Sequence, residues 1–85
     1  MLHFIIYSRS YCHLCEDMLR ALEQYRHAYT FTVEMLDVDA DEDLLARYDE
    51  LVPVLMGSRA GQAPRQLCHY FLDPGQVEHF LKDRD

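Results

Sequence analysis

Cys12-His13-Leu14-Cys15 stands where the hydrophobic pattern of the chain changes period, and that junction constrains the fold more than any other feature. Before it, Phe4-Ile5-Ile6-Tyr7 is an unbroken apolar, β-rich run, the pattern of a strand buried on both faces of a sheet. Ser8-Arg9-Ser10-Tyr11 is a short polar turn. Beyond it, Leu14, Met18, Leu19, Leu22 and Tyr25 fall on one face of a helix. Glu16 and Asp17 lie in the first turn of that helix and Arg26 near its end, as the helix dipole favours. Cys12 therefore sits at or just before a helix N-terminus, and Cys15 sits in its first turn.

The rest of the chain supplies three more strands and two more helices. Phe31-Thr32-Val33-Glu34-Met35 alternates apolar and polar residues, and Leu36-Asp37-Val38 extends it, which predicts a second strand. Asp39-Ala40-Asp41-Glu42-Asp43 could hold a cation, but a short helix over 44–48 follows at once, so these carboxylates read as helix caps. A calcium loop would also need a central glycine, which is absent here. Val52-Pro53-Val54-Leu55-Met56 reads as a third strand with proline near its start, and residues 57–65 as a turn. Leu67-Cys68-His69-Tyr70-Phe71 is expected to pair antiparallel with it. Asp73 and Pro74 suit the N-cap and first position of a last helix, with Val77, Phe80 and Leu81 as its apolar face. Met18, Met35 and Met56 are expected in the core. The order β-α-β-α-β-β-α predicts an α/β fold, a four-stranded mixed sheet flanked by helices. Its 85 residues suit a single domain over 1–85.

Composition narrows the function. Eight basic and fifteen acidic residues give a formal charge of -7, without the clustered positive surface that phosphate backbones need. No apolar run approaches the ~20 residues of a spanning helix, and Met1-Leu2-His3-Phe4 lacks a basic secretory start. Three cysteines are too few, and odd in number, for a disulfide-stapled secreted domain. A cytoplasmic protein with neither nucleic-acid nor membrane partners is expected.

A cysteine at a helix start has a chemical consequence. Thiolate, not thiol, is the nucleophile, and free helix amides with the positive dipole end favour an anion there by about 0.3–2 kcal/mol. Cys12 is thus placed to attack a disulfide, and Cys15, one turn on, to resolve the mixed disulfide that results. Arg9 and His13 are candidate cations beside the sulfur.

With Tyr7-Ser8-Arg9-Ser10-Tyr11-Cys12-His13-Leu14-Cys15 ending the first strand and Val52-Pro53-Val54 further on, the whole chain resembles the glutaredoxin family within the thioredoxin-like fold. The resemblance implies that Cys12 is the exposed nucleophile and Cys15 the resolving cysteine. It gives Arg9 a part in binding glutathione, makes Pro53 a cis-proline facing the disulfide, and has the backbone of Val52 hydrogen-bond a peptide-like substrate. Tyr11 and His13, which flank Cys12, join the substrate-facing set. Glutaredoxins usually carry a Gly-Gly after the fourth strand that holds the glutamyl end of glutathione. Here the place reads Tyr70-Phe71-Leu72-Asp73-Pro74-Gly75, which leaves Asp73 as the acidic partner without paired glycines for close backbone approach. In this the chain is similar to short glutaredoxin-like bacterial proteins. The implied enzyme is a thiol-disulfide oxidoreductase with no bound cofactor, acting on protein disulfides or glutathione mixed disulfides. Glutathione, as reductant or co-substrate, or a reductase would recycle it.

Two alternatives stay open at this level. The fold could serve as an interaction module with little turnover, which the missing Gly-Gly allows. Cys12, His13 and Cys15 could instead hold zinc or copper, or an iron-sulfur cluster could bridge two chains, although no second C-x-x-C or spaced histidine pair completes four ligands. Cys68 reads as a small buried hydrophobe rather than a third redox thiol or metal ligand, and His69 as a strand-face residue. A single active edge and no long apolar patch are expected of a monomer.

Overall fold

The computed structural model describes residues 2–83. Strand β1 (Leu2–Ser8) leads through a four-residue loop into helix α1 (His13–Glu23), which ends in a 3-10 turn over Gln24–His27. Strand β2 (Phe31–Asp37) follows, then a 3-10 turn (Val38–Ala40) and helix α2 (Glu42–Tyr48). Strands β3 (Val54–Arg59) and β4 (Arg65–His69) form a hairpin, and helix α3 (Pro74–Lys82) closes the chain. The sheet order is β2-β1-β3-β4. β1 and β2 are parallel, and the β1–β3 and β3–β4 pairs are antiparallel. This is the α/β arrangement expected from the element order and the thioredoxin-like architecture that the resemblance implies.

Strand alternation divides the sheet into two unequal faces. Phe4 and Ile6 of β1, Leu55 of β3 and Leu67 of β4 meet Met18 and Leu22 of α1 and Val77, Phe80 and Leu81 of α3 in one buried cluster. Phe4 is its hub, edge-on to Phe31 at 5.1 Å and to Phe80 at 5.4 Å between ring centroids. Burying side chains of this size contributes about 1.5–3 kcal/mol each, and the edge-to-face geometry adds to that. The opposite face carries Ile5 and Tyr7. There α2 buries none of its own residues, and its Tyr48 stacks on Tyr7 at 4.7 Å.

Several expected boundaries move. The buried face of α1 runs through Cys15, Met18 and Leu22, while Leu14 is exposed: the N-cap at Cys12 sets the helix phase and turns Leu14 outward. Val38 leaves β2 for the 3-10 turn because Asp37 caps that turn through its side chain. Helix α2 begins at Glu42, not at residue 44, since the Asp41 carboxylate accepts from the Asp43 and Leu44 amides. Pro53 precedes β3 rather than joining it, and the strand runs on through Gly57 to Arg59. Gly57 is therefore not a turn residue. A Cβ there would lie 2.9 Å from Leu67 Cδ1 and from Phe80 Cζ, so glycine lets α3 and β4 close over β3. β4 likewise ends at His69, and Tyr70 and Phe71 belong to the turn after it. Met35, expected in the core, is exposed on edge strand β2.

Candidate active site at the strand-helix junction

Register brings the site together. Tyr7 lies opposite Val54, and Val54 opposite His69. The loop after β1, the Val52-Pro53 segment before β3 and the turn after β4 therefore leave the sheet at one end. Because β2 runs parallel to β1, the turn after β2 leaves there too.

Cys12 is the N-cap of α1, in extended backbone, and its Sγ accepts the Cys15 amide N–H at 3.1 Å. Cys12 and Cys15 are joined as a disulfide with Cα atoms 5.2 Å apart. The two sulfurs differ in access: Cys15 is 2% exposed, and Cys12 is only half-buried. An incoming sulfur reaches Cys12 first. Once the pair is reduced, the amide aimed at Sγ and the helix start behind it favour negative charge on Cys12.

Arg9 sits in the same loop but turns away to two carboxylates. Its Nε and Nη2 donate to Asp39 at 3.2 and 2.8 Å, and its Nη1 donates to Asp49 at 2.6 Å. The Arg9 hydrogen bond holds the Asp39 carboxyl below its ordinary value, and Asp39 in turn raises the Arg9 pKa. The clamp ties the disulfide loop to the turn after β2 and to the C-cap of α2. His13 and Tyr11 are exposed, Tyr11 completely so, and Tyr11 adopts a left-handed φ of 59°.

The Val52-Pro53 peptide bond is cis, and Pro53 is fully buried. The Val52 N–H donates to the Tyr48 carbonyl at 3.1 Å. Tyr70, at φ 65°, ties this segment to the turn after β4: its N–H donates to the Pro53 carbonyl at 2.8 Å, and its hydroxyl to the Glu50 carbonyl at 2.6 Å. Asp73 caps α3, accepting the Gln76 N–H at 3.3 Å. Cys68 is half-buried, packs against the core and accepts the Asp73 N–H at 3.4 Å. Burial pushes its thiol pKa up. His69 packs edge-on against the Tyr70 ring. Among the described residues, no group of three or more His, Cys, Asp or Glu is placed to hold a metal ion, and no helix is long and apolar enough to cross a membrane.

Sequence reasoning missed Asp39, Asp49 and Tyr70. The Arg9 partners lie 30 and 40 residues along the chain, where no local pattern could pair them. Tyr70 was hidden by reading β4 too far.

The fold and a cysteine pair made of a half-buried, helix-capping Cys12 and a buried Cys15 define a thioredoxin-like protein with a disulfide-forming C-x-x-C. Residues 3–82 match the glutaredoxin-like domain family (DUF836), and the chain belongs to that family. Among solved structures, a protein of Nitrosomonas europaea is 33% identical with a TM-score of 0.85, over 95% of this chain and 92% of that one. A protein of X. campestris is 28% identical with a TM-score of 0.61, over 92% and 93%. The oxidized form of mitochondrial thioredoxin 3 from Saccharomyces cerevisiae shares the fold at 20% identity, with a TM-score of 0.67 over 96% and 77%. A search of curated proteins found no match.

Proposed function

We propose that the protein is a thiol-disulfide oxidoreductase that reduces protein disulfides or glutathione mixed disulfides through Cys12 and Cys15. The observation that carries this reading is the unequal placement of the two sulfurs. Cys12 caps the helix and is open to a partner, and Cys15 is buried behind it within bonding reach. The thiolate of Cys12 attacks one sulfur of the substrate, and the other sulfur departs as a thiol after taking a proton from solvent. Cys15 then attacks the Cys12 sulfur of the mixed disulfide, releases the second thiol and leaves the Cys12–Cys15 disulfide. Two electrons pass from protein to substrate, and a dithiol reductant or two molecules of glutathione restore the pair.

Turnover of hydroxyethyl disulfide under an excess of dithiothreitol tests this. The rate above background should vanish in Cys12→Ser. Prereduced Cys15→Ser, mixed with hydroxyethyl disulfide after the dithiothreitol is removed, should stop at the mixed disulfide on Cys12. A Cys12→Ser variant as active as the parent contradicts the proposal.

A further inference from the structure

Among the described residues, five large apolar or aromatic side chains are exposed: Tyr11, Leu14, Met35, Tyr70 and Phe71. Four of them leave the sheet at the end that carries the disulfide. Tyr11 immediately precedes Cys12, Leu14 lies between the cysteines, and Tyr70 and Phe71 form the turn bonded to Pro53. Phe71 is 67% exposed and also forms one wall of a groove of about 640 Å³ that runs past Gln66, His69 and Asp73. Exposed apolar side chains scattered singly need no explanation, but a cluster beside a reactive centre marks a contact surface.

Backbone strain points to the same place. Tyr11 and Tyr70 are the non-glycine residues with positive φ among those described, a conformation that costs a bulky side chain of order 1–3 kcal/mol where it persists. Tyr70 is held there by its two hydrogen bonds. Tyr11 has no packing to hold it, being fully exposed.

The charges beside the patch select its partner. Arg9, the basic residue of the disulfide loop, is held by Asp39 and Asp49, Asp17 is paired with Arg20, and Glu16 and Asp73 lie at the helix starts at this end. The chain as a whole carries -7. Such a surface disfavours a ligand held by its carboxylates and favours a basic one.

We infer that the surface around Cys12 docks a polypeptide whose disulfide cysteine is flanked by apolar and basic residues, in preference to glutathione disulfide. This rests on the exchange chemistry proposed above and names its substrate class. Tyr11, Leu14 and Phe71 cover the apolar flank of the cysteine, and the carboxylates of the rim meet its basic charge. The substrate disulfide is reduced to two thiols as the Cys12–Cys15 dithiol is oxidised, so the reduced protein itself supplies both electrons.

The test is a single-turnover comparison with prereduced protein and four disulfides. They are the homodimer of a peptide with leucine and lysine around its cysteine, the same peptide with glutamate for lysine, glutathione disulfide, and hydroxyethyl disulfide. The leucine-lysine peptide should react at least tenfold faster than glutathione disulfide and than the glutamate peptide. In a Tyr11→Ser/Phe71→Ser double variant that advantage over glutathione disulfide should fall below about threefold. Glutathione disulfide reacting as fast as the leucine-lysine peptide overturns the inference, and so does an advantage that survives the double variant. A protein that reduces none of the four, hydroxyethyl disulfide included, overturns the proposed chemistry itself.

Discussion

The guanidinium of Arg9 reaches across the end of the sheet to Asp39 and Asp49 and fastens the loop that carries Cys12. The residue types at this end of the sheet were legible: thiols at a helix start, a basic residue three positions earlier, and a proline that the sequence put inside the third strand and the structure puts just before it. Their partners were not, because a side chain's choice between a ligand and a carboxylate 30 residues away depends on tertiary contacts. The clamp has a pH signature. Asp39 is held below its ordinary value of 3.8 first by its hydrogen bond to Arg9, so the folded state binds its proton less readily than the unfolded chain. The stabilisation is therefore fully present above about pH 3.8 and is lost as pH falls through the lower folded value. Asp39→Asn should lower Tm at pH 6 and flatten the acid limb of Tm against pH below pH 4. Parallel profiles for parent and variant would show that Asp39 carries no such linkage. The effect should shrink in 0.5 M salt, because the pair is partly exposed and screened.

At the scale of elements, every strand and helix was legible from periodicity and capping residues, and the errors lie at boundaries. They share a physical cause: short polar side chains and glycines act through contacts that a local pattern does not contain. Asp37 and Asp41 both cap by accepting backbone amides, which ends β2 a residue early and starts α2 two residues early. Asp73 and Pro74 were readable because their cap is followed by a clear apolar face. Gly57 resembles a turn residue in sequence and is a packing residue in the fold, opposite Phe4 on β1 and beneath Leu67 and Phe80. Gly57→Ala should therefore destabilise the protein by about 1–3 kcal/mol, the range for overfilling a packed core, read as a lower urea midpoint with an unchanged m-value. An unchanged midpoint would mean that α3 shifts freely to admit a methyl group, contrary to the packing described. The substitution should leave α1 and its cysteine pair intact, since the strain falls between β3, β4 and α3.

For the whole molecule, topology accounts for the site. A parallel β1–β2 pair and an antiparallel β3–β4 hairpin on the other side of β1 bring four separate chain turns to one end of the sheet. The core sits on the far side of α1 from solvent and fixes the buried Cys15 through Met18 and Leu22 on the same helix face. This division gives each thiol a distinct expected fate: Cys12 reacts, Cys15 resolves, and Cys68, half-buried with its pKa raised by burial, stays out of the exchange. The most direct measurement is intact mass after equilibration in graded mixtures of reduced and oxidised glutathione, on the parent, Cys12→Ser and Cys15→Ser. The account predicts one reversible internal disulfide in the parent, a glutathione adduct mapping to Cys12 in Cys15→Ser, and no internal disulfide in Cys12→Ser. Thiols that remain reduced and unmodified across the whole series, or an adduct that maps to Cys68 instead of Cys12, would contradict it.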